Sequence, residues 1–202
     1  MKARPRKSNE ELSAHTRKLL VSAGRELFGK RGFATVSTEA LGERARLTRG
    51  ALHHHFGDKA GLFAAVVDDL LSELMASLAA ETMRDLTDHD QELEKGVEVL
   101  LELFQRTEVR QILLRDAPTV LGWHGFNAAL ERGGLLGLIR HALEHWVEAG
   151  RIEPERVEAS SRILLGASIQ AALALADSEP ATGELEPYRA QLLRVVRGLA
   201  RR

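Results

Sequence analysis

Apolar residues recur at intervals of three and four along the chain, and no segment sustains the alternation of a strand, so the fold must be built from helices alone. Punctuation divides that pattern. A capping box, Ser8 with Glu11, opens the first helix, whose stripe is Leu12, Leu19, Leu20, Ala23, Leu27 and Phe28, and Gly32 stops it. After Phe56-Gly57, Asp58 caps a long helix in which Leu62, Val66, Leu70, Leu74 and Leu78 run without a breaker. The polar stretch Asp85 to Gln91 reads as a loop. Beyond it Leu93, Val97, Leu100, Leu101 and Phe104 mark another helix, then a short one that Pro118 halts. A glycine-marked region, Gly122 to Gly137, leads to a helix from about Leu135 to Ala149 that Gly150 ends. Pro154 opens a long helix, roughly Glu155 to Asp177, and Pro187 opens the last, to about Leu199.

The stretch from Thr35 to Lys59 is the most specific part of this pattern. Ser37 caps a helix over Thr38 to Ala45, with Glu39 well placed against the helix dipole. Arg46-Leu47 makes a tight turn, and Thr48 caps a second short helix, Arg49 to His55. Leu41, Ala45, Leu47, Leu52 and Phe56 supply faces that lock the two together. Thr38, Arg49, Gly50, Ala51, His53 and His54 are left facing outward. This is a helix-turn-helix, a unit whose second helix can enter the major groove of DNA with short side chains leading.

These residues resemble the TetR family of transcriptional regulators, through Leu27-Phe28, Gly32-Phe33, Ser37, Leu41, Leu47-Thr48-Arg49-Gly50, Leu52, His54-His55-Phe56, Lys59 and Leu62 in order and spacing. The resemblance covers roughly residues 9 to 72. His53 stands where the family usually has a tyrosine that touches a phosphate, and Arg46 where it usually has a turn glycine. Arg46 must therefore bear left-handed strain or turn differently. The resemblance implies an all-α subunit: a basic arm over residues 1–8 without order of its own, a three-helix DNA-binding domain over 9–60, and an effector-binding and dimerisation domain over 61–202. It implies a homodimer on a palindromic double-stranded operator, most simply a repressor released by a small, partly apolar effector. Arg49 would contact phosphate or bases, Thr38 and Thr48 the backbone, and Gly50 and Ala51 would approach base edges. His53, His54 and Lys59 would hold phosphates. Ser37 serves as the cap, and His55 resembles the family's structural histidine.

Charge agrees once it is divided along the chain. The net charge is −1, yet residues 1–60 hold 13 Lys+Arg against 6 Asp+Glu, and residues 61–202 hold 15 against 23. A basic head on an acidic body concentrates attraction for phosphate at one end. The arm residues Lys2, Arg4, Arg6 and Lys7 could add minor-groove contacts or form only a solubilising tail. With no cysteine there is neither disulfide nor cysteine-ligated metal. No apolar stretch of signal-peptide length follows the basic start, and nowhere do eighteen apolar residues run uncharged, so no membrane is expected and the cytoplasm is the default location.

Two features of the second part suggest binding. In the last helix Tyr188, Leu192, Val195, Val196 and Leu199 form a stripe, and its neighbour carries Gly166, Ala167, Ser168, Ala171, Ala172 and Ala174, which permit close helix approach. Two such helices from each subunit would make a four-helix dimer interface; the plainer alternative is that both stripes finish the monomer's own core. A sensor is expected around Trp123-His124-Gly125-Phe126, with Phe104, His141 and Trp146 as further lining, although core aromatics are commoner than pocket aromatics.

The rival chemistry is His141-Ala142-Leu143-Glu144-His145, which matches the H-x-x-E-H pattern of one class of zinc peptidases. Glu144 points away from the apolar arc and no third ligand stands out, so an amphipathic histidine pair is the commoner explanation. Three consecutive histidines, 53 to 55, cannot face one metal on a helix. There is no G-x-S-x-G, phosphate loop or dinucleotide fingerprint. No enzymatic activity, cofactor or resident metal is expected. A zinc hydrolase and a sequence-indifferent architectural DNA binder stand as the alternatives.

Overall fold

The first helix, α1 (Asn9–Arg31), lies along α4 (Lys59–Thr82), with the two short helices α2 (Thr38–Ala45) and α3 (Arg49–Phe56) packed across one end of the pair. A computed structural model describes residues 9–82, 89–177 and 185–200; the basic arm, Ser8 of the expected capping box and residues 85–88 of the expected loop lie outside them. Gly24 marks the closest approach of α1 to α4, since a Cβ there would stand 2.9 Å from Val66 Cγ2. Phe28, Phe33 and Phe63 stack around this contact with ring centroids 5.1 to 5.6 Å apart, mostly edge to face as their quadrupoles prefer.

Helix α4 continues without a break from that core into the next. Leu62, Phe63 and Val66 are buried beneath α1 and α3, and Leu70, Leu71, Leu74 and Leu78 are buried further along the same helix. A division after residue 60 therefore falls in the first turn of a helix that serves both parts. The body adds α5 (His89–Phe104), α6 (Thr107–Val109), a π-helical segment Arg110–Asp116, α7 (Ala117–Val120), α8 (Gly122–Arg132), α9 (Leu135–Glu148), a 3-10 turn Pro154–Arg156, α10 (Val157–Asp177) and α11 (Leu185–Leu199).

Several boundaries differ from the sequence reading for physical reasons. Helix α5 begins at His89, inside the expected loop. Pro118 does not halt a helix; it lies in the first turn of α7, where a backbone N–H has no partner within that helix to lose. The glycine-marked region contains a helix of its own, α8, and turns at Gly133-Gly134, where Gly134 has φ 86°. A Cβ on Gly133 would come within 2.8 Å of Leu71 Cβ, so this corner sits directly on α4. Pro187 falls in the first turn of α11, two residues after its start.

The last two helices divide their stripes between inside and outside. Ser168, Ala171, Ala172, Leu192 and Val196 are buried in the chain's own core, as the plainer alternative supposes. Ile163, Gly166, Gln170 and Val195 remain exposed.

Candidate nucleic-acid interface

The turn between α2 and α3 rests on three local devices. The Ser37 hydroxyl accepts the Ala40 N–H at 3.2 Å and the Thr48 hydroxyl accepts the Ala51 N–H at 3.4 Å, so each cap satisfies a donor that the helix leaves free. Arg46 takes the left-handed conformation, φ 56° and ψ 42°, with its N–H turned back to Glu43 and Gly42. Of the two possibilities for Arg46, the left-handed turn is therefore the one adopted, against a modest steric cost. At Gly42 a Cβ would stand 2.8 Å from the Leu47 carbonyl, so only glycine lets α3 cross so near α2.

Leu41, Ala45 and Leu52 are buried, and Leu47 and Phe56 half-buried, which holds α3 proud of the surface. Thr48, Arg49, Gly50, His53 and His54 are exposed along its outer side, and Thr38 and Ala51 are half-exposed. Arg49 reaches Glu39 at 3.2 Å. Glu39 is held below the usual carboxylate range by its own backbone N–H first and by the Ser37 hydroxyl. His53 shares a short 2.6 Å bond between Nδ1 and the Gly57 carbonyl, closing the end of α3. His55 is half-buried, its ring edge-on to His54.

Lys59 is turned inward. Its ammonium donates to the carbonyls of Phe33 and Val36, both at 2.9 Å, and sits 4.1 Å from the centre of the Phe33 ring. Two of its three N–H bonds thus tie the loop before α2 to the start of α4. Asp58 caps α4 as the sequence predicts, accepting the Gly61 N–H at 2.7 Å.

A second set of contacts joins this head to the segment from α6 to the π-helical turn. Arg25 on α1 pairs with Glu73 at 2.5 Å, Glu108 at 2.8 Å and Asp69 at 3.3 Å. Arg106 bridges the same Glu73 and Glu108 at 2.8 and 2.6 Å. The hydrogen bond from Arg25 holds Glu108 below its ordinary range; burial pushes Glu73 up, but bonds from Arg106 and Arg25 outweigh it and leave Glu73 lowered too. Asp116 accepts the Phe33 N–H at 2.7 Å through one oxygen and the Gln111 amide at 3.1 Å through the other. Sequence reading does not reach this latch, because Arg25 and Glu108, like Phe33 and Asp116, are 83 residues apart.

The expected sensor residues do not converge on one cavity. Phe104 and Trp146 are buried in the core, while His124 and His141 are exposed. Trp123 and Phe126, with centroids 5.7 Å apart, share an open groove of about 390 Å³ between α8 and α10. A separate apolar cavity of about 30 Å³ lies between α4, α5 and α9, lined by Leu78, Thr82, Val97, Leu100, Ile139 and Ala142, with Glu92 at its edge. Beside it His145 Nδ1 lies 2.9 Å from Glu92, and the His141 and His145 rings meet edge to face at 4.5 Å. Among the described residues no group of three or more such side chains converges as metal ligands would, and no helix is long and apolar enough to cross a membrane.

Comparison with known proteins agrees with this geometry. Residues 20–66 match the model of bacterial regulatory proteins of the tetR family, and residues 91–199 match the tetracyclin repressor-like C-terminal domain. The chain is 30% identical over 105 residues to the Transposon Tn10 TetC protein of Escherichia coli, covering 52% of each; it thus spans about half the length of that relative. Similarity to the HTH-type transcriptional repressor AcnR of Corynebacterium diphtheriae is 29% over 139 residues, covering 67% of this chain and 69% of that one. A crystal structure of a TetR-family transcriptional regulator from Pectobacterium atrosepticum superposes with a TM-score of 0.81 and 30% identity over 97% of this chain and 99% of the other.

Proposed function

The chain belongs to the TetR family of bacterial regulatory proteins, and on that premise we propose that it is a cytoplasmic homodimer that binds a palindromic operator and represses transcription until a partly apolar small molecule enters its body. The observation that carries this reading is the capped, outward-standing α3, with Arg49, Gly50, His53 and His54 exposed on one side. The relative AcnR is described as a transcriptional repressor, which favours repression over activation here.

Arg49 is the strongest reading residue. It leads α3 from the N-terminal turn, and Glu39 keeps its guanidinium extended over the groove side until DNA replaces the carboxylate. The hydroxyls of Thr48 and Thr38 and the exposed rings of His53 and His54 contact the sugar-phosphate backbone, and Gly50 and Ala51 allow the backbone near base edges. Lys59 acts on DNA through the loop it holds, since its ammonium is already committed to the Phe33 and Val36 carbonyls.

The effector enters between α4, α5 and α9. The gap of about 30 Å³ there has room for no more than about two or three waters, so any larger guest wedges α4 away from its neighbours. Helix α4 carries the head, and Arg25 and Arg106 transmit its tilt through Glu73 and Glu108. The two heads of a dimer then no longer fit successive grooves together.

The test is a gel shift with the duplex upstream of the protein's own gene against random duplex, at several salt concentrations. A preference that survives rising salt is expected. Equal retention of both duplexes would instead make it an architectural DNA binder.

A further inference from the structure

We infer that Trp123 is an intermolecular anchor, which seats in the α8–α10 groove of a second copy of this chain and extends the dimer interface beyond α10 and α11. The inference rests on the homodimer reading above.

Trp123 is 70% exposed, whereas the chain's other tryptophan, Trp146, is 1% exposed. Gly122, at φ 68°, turns the chain into α8 just before it, and the Asn127 amide donates to the Trp123 carbonyl at 2.8 Å. The ring is therefore held on a rigid first helical turn, with Phe126 beneath one edge. An exposed ring on a fixed support has little conformational freedom to lose on docking, which is the character of interface anchors.

The receiving groove adjoins the ring itself: Trp123, Phe126 and Leu130 of α8 form one wall, Arg162, Leu165, Gly166 and Ile169 of α10 the other, and the space is about 390 Å³. It is continuous with the proposed dimer face, because Gly166 and Gln170 line the groove and also belong to the exposed α10 stripe Ala159, Ile163, Gly166 and Gln170. Those four residues carry no charge, and Arg162 on the rim of the groove is paired with Glu158 and Glu131. Within that stripe Ile163 is 59% exposed, and on α11 Val195 is 41% exposed. A two-fold interface must be complementary to itself, and this face supplies both a projecting ring and a recess. Apart from its chain neighbours and the backbone of its own helix, nothing lies within 4 Å of the Cβ position of Gly166, so the recess is open where a partner's side chain would enter.

Tryptophan fluorescence tests the inference directly. In the full chain carrying Trp146→Phe, emission from Trp123 should be shielded from iodide at concentrations where sedimentation equilibrium gives a dimer, and should become quenchable on dilution to monomer. Trp123→Ala should weaken dimerisation by at least about 30-fold, as loss of an interface anchor does. Gly166→Arg should do the same while leaving the monomer's helical circular dichroism intact. A dimer whose Trp123 remains open to iodide and whose dissociation constant ignores both substitutions would overturn the anchor and leave the dimer reading standing. A chain that is monomeric at every concentration would remove both. Protection of Trp123 only on adding a small apolar molecule would make the groove a ligand site and overturn the inference as well.

Discussion

Helix α3 and the segment from Thr107 to Val120 both pack against α1 and are built on opposite principles. Thr48 caps α3, and His53 and Gly57 close it, so its form follows from its own eight residues and their immediate neighbours. The other segment passes from α6 through a π-helical turn to α7 with no side-chain cap at any of its starts. Its conformation is imposed by α1 and the loop that follows it, through Asp116 on Phe33 and Glu108 on Arg25. An element that specifies itself can present a fixed reading surface to a partner. One that depends on its surroundings can move when those surroundings move, which suits a link between a sensor and a reader.

Substitutions can break or sharpen this contrast. The largest effect is expected at the joint of head and body: a Cβ on Gly61 would lie 2.1 Å from the Phe56 carbonyl, so Gly61→Ala should lower stability by about 3 kcal/mol in urea unfolding. A melt indistinguishable from the parent would mean that the α3–α4 corner yields far more readily than its geometry implies. Next, Asp116→Ala strands the Phe33 N–H and should cost about 2 kcal/mol, with the head melting before the body in calorimetry. A single unshifted transition would show that the segment is no latch.

Arg49 and Lys59 separate reading from holding. Arg49→Ala should leave unfolding within about 0.5 kcal/mol of the parent and weaken operator binding by about 10- to 100-fold, with a shallower salt dependence. Lys59→Ala should reverse the emphasis and cost about 1–2 kcal/mol of stability, because two carbonyls lose a charged donor. If Arg49→Ala binds like the parent, α3 does not read through that residue.

The smallest effect is that of acid. Glu108 and Glu73 titrate below their ordinary range when folded, Glu108 chiefly through the Arg25 bond, so the folded state favours their carboxylates. Their contribution is complete above the ordinary glutamate value of 4.5 and is lost as pH falls through it toward the lowered folded values. Melting temperature should be flat between about pH 6 and 8 on this account and fall only in acid, and Arg25→Gln should blunt that acid-side fall.

The head was legible because its signals are local. Ser37, Thr48 and Asp58 cap the helices that the sequence assigns to them, and Leu41 and Leu52 are buried at their helical spacing. Whether the aromatics of the second part share one cavity was not legible: tryptophan and phenylalanine fill cores and line pockets alike, and a sequence does not say which walls face one another. Phe104 and Trp146 became core, and Trp123 and Phe126 came to share a groove.

What the sequence determined by itself was an all-helical chain with a capped helix-turn-helix and a basic head on an acidic body, since capping, period and charge act over a turn or two or simply add. Only the tertiary structure decided which face of α10 stays uncovered, that Lys59 points inward, and that Arg25 meets Glu108 across 83 residues. Those outcomes depend on where separate helices come to rest, and that is set by how their side chains pack together.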